Sequence, residues 1–367
     1  MRVTLFRDHP AEGWRSMDRH ADELGAALEA TAPPSWRIAM PMPPDPGAGV
    51  YRRLATRMLR YPRWARSQQG DVNHILDHSY GHLLFALDPA RTVVTVHDLA
   101  PLRFPGRRFG ASEAAWRRTW RGLARARHVI VESEFVAAEL CGHLDPARVR
   151  VHCIPLGVAE TFRPPAREEA APVRRRYRAE RKRLLLHVGR IHARKNFAAL
   201  LDAVARLRAA GEAVVLVQAG GQPDRAARER IRTLGLEECV RFAGAVPESG
   251  LAALYGAADA FVFPSRYEGF GLPVLEAMAC GAPVVASDAA SLPEVVGDAG
   301  LLAPPGDPGA IAAAVRRVLT EPGLADSLRR RGFERARRFS WRETAERTLR
   351  VYEACHAAGG NAATGSA

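Results

Sequence analysis

The chain has 367 residues, 47% hydrophobic and 25% charged, with a formal net charge of +13 at pH 7. That length accommodates two domains of ordinary size, each with its own core, in a soluble globular balance that excludes disordered and fibrous classes. No apolar run reaches the roughly 18 residues of a membrane span, and the stretch in MRVTLF is too short for a signal-peptide core.

In the first half, RVTLF (2–6), WRIAM (36–40), VNHIL (72–76), TVVTV (92–96), HVIVE (128–132) and VRVHCI (149–154) read as short buried strands. Helical patterns at 14–30 and 110–127 separate some of them. A Pro- and charge-rich stretch, FRPPAREEAAPVRRRYRAERKR (162–183), then interrupts the alternation. The pattern restarts with LLLHV (184–188), AVVLVQA (213–219), VRFAG (240–244), AFVFP (260–264), PVVAS (283–287) and LLAP (301–304). Asn196 is placed as the N-cap of a helix ending at Gly211, and Asp307-Pro308 opens another. Ser340-Trp341-Arg342-Glu343 has capping-box spacing for a terminal helix. The tail from Ala357 to Ala367 is low in complexity and is expected to be disordered.

Uninterrupted apolar strands alternating with helices imply parallel sheets covered on both faces. The expected fold class is therefore α/β, with two doubly wound, Rossmann-like domains and a cleft between them. The divisions are 1–165 for the first domain, 166–183 for a linker, 184–338 for the second, 339–356 for the terminal helix and 357–367 for the tail.

Charge is uneven. From Tyr51 to Arg127 there are fifteen arginines against Asp71, Asp77, Asp88, Asp98 and Glu113. The segments 51–66 and 103–127 interleave those arginines with Trp, Tyr, Phe and Leu, a pattern that fits either an amphipathic surface on anionic lipid or a plain solvated basic face. No nucleic-acid-binding motif accompanies the charge, so nucleic acid is not expected as a partner. The five cysteines (Cys141, Cys153, Cys239, Cys280, Cys355) are scattered and odd in number, which points to reduced thiols in a cytoplasm.

Ligands of open α/β sheets bind outside the carboxyl ends of the strands. After LLLHV, the segment GRIHARKN (189–196) offers a flexible Gly189 and two cations, Arg190 and Lys195, beside a helix start, a site suited to a phosphate or diphosphate. It lacks the order of a P-loop. Between AFVFP and PVVAS, the segment SRYEGFGLPVLEAMACG (265–281) places Glu268 before a helix over about 273–280 and Glu276 one turn inside it. On the residues alone, these two carboxylates are either parts of a pocket for hydroxyls and phosphate, or one helix-dipole partner and one solvated side chain.

The stretch EGFGLPVLE (268–276), followed by AMACGAPVVASDAASLPEVVGDAGLL, resembles the signature of the retaining glycosyltransferases of family 4, which have the GT-B fold. GR and KN at 189–196, VRFAGAVPESGLAALYGAADAFVFPS at 240–265 and the FSW start of the last helix are also similar, and TVVTVHDLAPLRFP resembles an HDL-containing, mannosyltransferase-like branch. That resemblance implies a hexosyltransferase acting in polysaccharide or glycoconjugate biosynthesis. Its donor would be a nucleotide-diphosphate sugar, GDP-mannose first and UDP- or dTDP-sugars next. Its acceptor would be a glycan, a lipid-linked glycan or a glycolipid.

The family's roles carry over by position. Arg190 and Lys195 match the cations on the diphosphate, Glu276 the ribose-binding carboxylate, and Glu268 the one facing the sugar. Phe270, Gly271 and Leu272 match backbone donors, Val246 the base-contacting loop, and His97, followed by Asp98, the first-domain histidine near the transferred sugar. The Gly-Gly loop that the family often carries after its first strand is absent, since HPAEGW offers only Gly13. No cofactor and no metal are implied, and the expected location is cytoplasmic, with peripheral contact at the membrane through 51–66 and 103–127. A sugar-nucleotide epimerase and a non-catalytic nucleotide-sugar-binding module are the alternatives.

Overall fold

A computed structural model describes residues 1–104 and 113–364, in two units: Met1–Gly157 with the segment from Ser340 onward, and Val158–Phe339. All twelve expected strands form, each within a residue or two of its expected bounds.

The first unit is built on β1 (Arg2–Phe6), β2 (Arg37–Ala39), β3 (Val72–Ile75), β4 (Thr92–Val96), β5 (His128–Val131) and β6 (Arg150–Cys153). They form one parallel sheet in the order β2-β1-β3-β4-β5-β6. Strands β3, β4 and β5 are buried along their whole length, so both faces need cover, and helices supply it. The helix Arg15–Thr31 buries Ala21, Leu24, Gly25 and Leu28 as one stripe and packs against the terminal helix Trp341–Thr364. On the other side, a Cβ at Gly122 would lie 2.2 Å from the carbonyl oxygen of Gly81, so the helix Glu113–Leu123 approaches the segment His78–Phe85 through two glycines.

The second unit holds β7 (Arg183–Val188), β8 (Val214–Ala219), β9 (Val240–Gly244), β10 (Ala260–Phe263), β11 (Val284–Ser287) and β12 (Gly300–Ala303). The parallel order is β12-β11-β10-β7-β8-β9. Strand order reverses where β7 meets β10, and there the connections leave in opposite directions and open a crevice at the strands' carboxyl ends. Helices Phe197–Ala209 and Pro308–Thr320 cover the sheet with Leu200, Leu201, Val204, Ile311 and Val315. Asp307 caps the second of these as expected, accepting from the Gly309 and Ala310 N–H groups.

Two sequence expectations are corrected. The stretch 166–183 is not a bare linker, because it contains the helix Arg167–Arg176, which packs on the helix Glu248–Ala257 of the second unit. Its run of arginines hides it from apolar-periodicity arguments, since little of it needs burying. The terminal helix continues to Thr364, so the expected disorder from 357 onward does not hold up to 364; residues 365–367 lie outside the described residues. Asn196 is the N-cap residue as expected, in a left-handed conformation and with no capping bond from its side chain.

Among the described residues, no helix is long and apolar enough to cross a membrane. The basic segment 51–66 exposes Tyr51, Arg52, Arg53, Leu59 and Arg60, but buries Tyr61 and half-buries Trp64 against Phe6. Residues 105–112 of the second basic segment lie outside the described residues. Its remainder contributes Arg117, Arg118, Arg121 and Arg125 around the half-exposed Phe85.

Candidate functional site

The loops after β7 and β10 meet at the reversal of strand order in the second unit. Strand β7 is followed by Gly189, whose φ of 138° is open only to glycine among common residues, and Gly220 packs directly against its backbone. Arg190 follows, exposed. A 3₁₀ turn over Ala193–Lys195, closed by the Arg194 N–H donating to His192 Nδ1, turns Lys195 inward. The Lys195 ammonium lies 2.7 Å from Glu268 Oε1 and 4.7 Å from the centre of the Phe263 ring. Arg194 stands 3.9 Å from the other carboxylate oxygen of Glu268.

Asn196 secures this arrangement. Its side-chain amide donates to the carbonyls of Pro264 and Pro305, and its oxygen accepts from Arg266. The left-handed backbone that would be costly for most residues is thus offset by three hydrogen bonds joining the ends of β7, β10 and β12.

The opposite wall is the turn before the helix Leu272–Ala279. The Ser291 hydroxyl donates to the carbonyls of Glu268 and Phe270. Phe270 is buried edge-on against Phe339, and Gly271 has φ 114°. A Cβ there would lie 2.7 Å from Leu292, so both conformation and space demand glycine. Pro273 occupies the first turn, which needs no N–H donor, and the helix presents its positive end to the crevice. Glu276 lies inside this helix, 2% exposed, and its Oε2 accepts a hydrogen bond from the Tyr255 hydroxyl at 2.9 Å.

Burial rules out one part of the second reading of the glutamates, a solvated Glu268. Glu268 is 6% exposed, so it is not a solvated side chain, and neither carboxylate could be held in that position without partners. The partners differ: Lys195 for Glu268, Tyr255 for Glu276. Beneath them, burial and then the nearby Lys195 cation push His187 down to about 3, and the ring is neutral between Phe197 and Phe263. Val246 is half-buried in the loop between β9 and the helix Glu248–Ala257. The structure therefore brings Lys195, Glu268, Phe270, Gly271 and Leu272 into two facing loops, with Arg190 beside one and Glu276 behind the other. Two cations, a helix N-terminus and two buried carboxylates suit a ligand with a diphosphate and several hydroxyls.

Sequence reasoning missed Tyr255, Ser291 and the cross-linking role of Asn196. Tyr255 sits in an apolar helix and reads as core, as it is; only its hydroxyl reaches the site.

His97 belongs to the first unit, at the end of β4. Its Nδ1 is hydrogen-bonded to the Glu132 carboxylate and its Nε2 is 2.8 Å from the Leu76 carbonyl oxygen. Burial alone would lower its pKa, but the Glu132 charge and hydrogen bond outweigh that and raise it to about 10. The Glu132 carboxylate on Nδ1 thus favours the charged ring over the neutral one despite burial. Asp98 turns the chain after it by accepting from the Ala100 N–H. Atoms of His20, His97 and Glu132 come within 4.8 Å of one another, a spacing that could surround an ion. Both His97 nitrogens already face acceptors, however, so a second ring proton satisfies them without one.

The loops after β1 and β3, where this sheet's own order reverses, carry a second polar cluster. Burial, reinforced by Asp77, holds the Asp8 carboxyl well above the usual carboxylate range. Arg57 donates to Glu12 and to both the carbonyl and hydroxyl of Ser79, while Tyr80 donates to Glu12. These carboxyls occupy the place of the missing Gly-Gly loop, and they are ill suited to a phosphate.

Comparison with known proteins places the chain in a family. Residues 3–162 match the family model described as Glycosyltransferase Family 4, and residues 182–321 match the one described as Glycosyl transferases group 1. The chain is 33% identical over 270 residues to O-antigen chain mannosyltransferase B of Escherichia coli, covering 72% of this chain and 70% of that protein. It is 31% identical over 321 residues to the MMP alpha-(1->4)-mannosyltransferase of Mycolicibacterium hassiacum, covering 81% of this chain and 74% of that one. In fold it is similar to sucrose-phosphate synthase of Thermosynechococcus elongatus, with a TM-score of 0.79 at 24% identity over 98% of this chain and all of that one. The chain has the two-domain α/β GT-B fold, and it is an enzyme that belongs to glycosyltransferase family 4.

Proposed function

We propose that this glycosyltransferase moves a hexose from a nucleotide-diphosphate sugar to a hydroxyl of a glycan, lipid-linked glycan or glycolipid, with retention at the anomeric carbon and without a metal ion. The observation that carries this reading is the Lys195–Glu268 pair facing the glycine-opened helix that contains Glu276. Arg190, Lys195 and the helix N-terminus stabilise charge developing on the departing diphosphate. Glu276, pre-oriented by Tyr255, accepts from the ribose hydroxyls, and Glu268 accepts from the sugar. A hydrolase would instead set two carboxyls across one glycosidic bond as acid and base or nucleophile. The different partners of Glu268 and Glu276 favour two holding roles. GDP-mannose is the favoured donor, supported by the two mannosyltransferase relatives and by the HDL stretch at 97–99.

The test is a thermal-shift screen with GDP-, UDP- and dTDP-sugars, since a ligand that binds only the folded state raises its melting temperature. GDP-mannose is expected to give the largest shift. A larger shift with a UDP- or dTDP-sugar would replace the donor assignment, and no shift with any of them would overturn the reading.

A further inference from the structure

His97 is clasped on both ring nitrogens, by Glu132 at the end of β5 and by the Leu76 carbonyl at the end of β3. The Leu76 carbonyl can only accept, so Nε2 carries a proton, and while Glu132 is ionised Nδ1 must donate as well, which makes the ring doubly protonated. Of the two acceptors, only Glu132 carries charge. Other ionisable groups also face the ring. His20 lies edge-on from its helix at 4.7 Å between ring centres, and His78 lies at 6.5 Å. Asp77 adds a second carboxylate from the loop after β3. Burial and the neighbouring His97 charge lower His20, and burial lowers His78 despite Asp77, so neither competes as a cation. Glu132 itself is 4% exposed, and it follows the wholly buried strand HVIV, whose rigidity fixes where its carboxylate stands.

We infer that Glu132 is a positioning residue for His97, holding it as a doubly donating imidazolium so that His97 serves glycosyl transfer as a fixed cation and not as the proton acceptor for the acceptor hydroxyl. This rests on the glycosyltransferase reading above and adds a role for a residue outside its signature. A ring with no free lone pair cannot take a proton, and one locked on two sides cannot swing toward a hydroxyl. What it offers is positive charge on an imidazole edge, of use where negative charge develops in the transition state.

The test uses the full chain with Glu132→Gln and the conservative Glu132→Asp. Ring ¹⁵N shifts of His97 are recorded by NMR from about pH 6 to pH 9, the window in which an unperturbed imidazole loses its proton. The native chain is expected to keep both ring protons through that range, and Glu132→Gln to lose one within it. Turnover should follow: at about pH 8, kcat of Glu132→Gln falls roughly ten- to a hundredfold with donor KM little changed, and it recovers as pH is lowered toward 6. Glu132→Asp should retain the cationic ring and most of the turnover. A native His97 that titrates near the ordinary histidine value, or a Glu132→Gln profile parallel to the native one, overturns the inference. Donor-induced thermal shifts are measured on the same samples. A normal donor shift with an unaltered pH profile sinks only the role of Glu132, whereas loss of any donor shift in the native chain sinks the glycosyltransferase reading. Should Glu132→Gln fail to fold, native NMR and the Glu132→Asp profile decide the matter.

Discussion

Replacing Lys195 with methionine is expected to lower kcat/KM for the donor about a hundred- to a thousandfold, the usual effect of deleting one preorganised group that stabilises developing charge. Methionine keeps most of the apolar stem over the Phe263 ring, so the loss falls on the charge. The same change leaves Glu268 buried without its closest partner, with Arg194 at 3.9 Å as an imperfect substitute. Breaking one side of so buried a pair costs about 3 kcal/mol or more of stability. The double variant Lys195→Met/Glu268→Gln removes the stranded charge and should recover much of the stability while turnover stays low. Denaturant unfolding and initial rates measured side by side separate the two effects. Turnover within about threefold of native in the single variant would remove Lys195 from the diphosphate.

Glu276→Gln should act on binding more than on chemistry. The Tyr255 hydroxyl can still donate to the amide oxygen, so the fold around the helix Leu272–Ala279 survives. The amide, however, replaces one charged acceptor by a donor, and hydrogen bonds to a charged group are worth about 1.5–3 kcal/mol. Donor KM is therefore expected to rise roughly ten- to a hundredfold with a smaller change in kcat, the signature of an interaction made equally in ground and transition states. A change confined to kcat would move Glu276 from the ribose to the reacting sugar.

Much of this was legible in the sequence because the decisive signals are local. Fully buried parallel strands such as TVVTV and VVAS show as apolar runs, and glycine and proline punctuate the loops that follow them. The pairing of Lys195 with Glu268 is different in kind: 73 residues separate the two, and only the meeting of β7 with β10 brings them together. The same holds for Tyr255 and Ser291, whose side chains look like an ordinary core aromatic and an ordinary turn serine until the fold aims their hydroxyls. Asn196 is legible as a helix start, but its bonds to Pro264 and Pro305 span strands that no local pattern connects. The arginine-rich helix 167–176 escaped because charge, not hydrophobicity, dominates its sequence.

The proposed function requires the crevice between the loops of β7 and β10 to hold a diphosphate. Calorimetric titration of the native chain with the nucleoside diphosphate of the preferred donor, against the same nucleoside without phosphates, tests that most directly. The cations Arg190 and Lys195 and the helix N-terminus predict an affinity at least about a hundredfold higher for the diphosphate, a difference that shrinks as salt is raised. Equal affinities for the two ligands would contradict it.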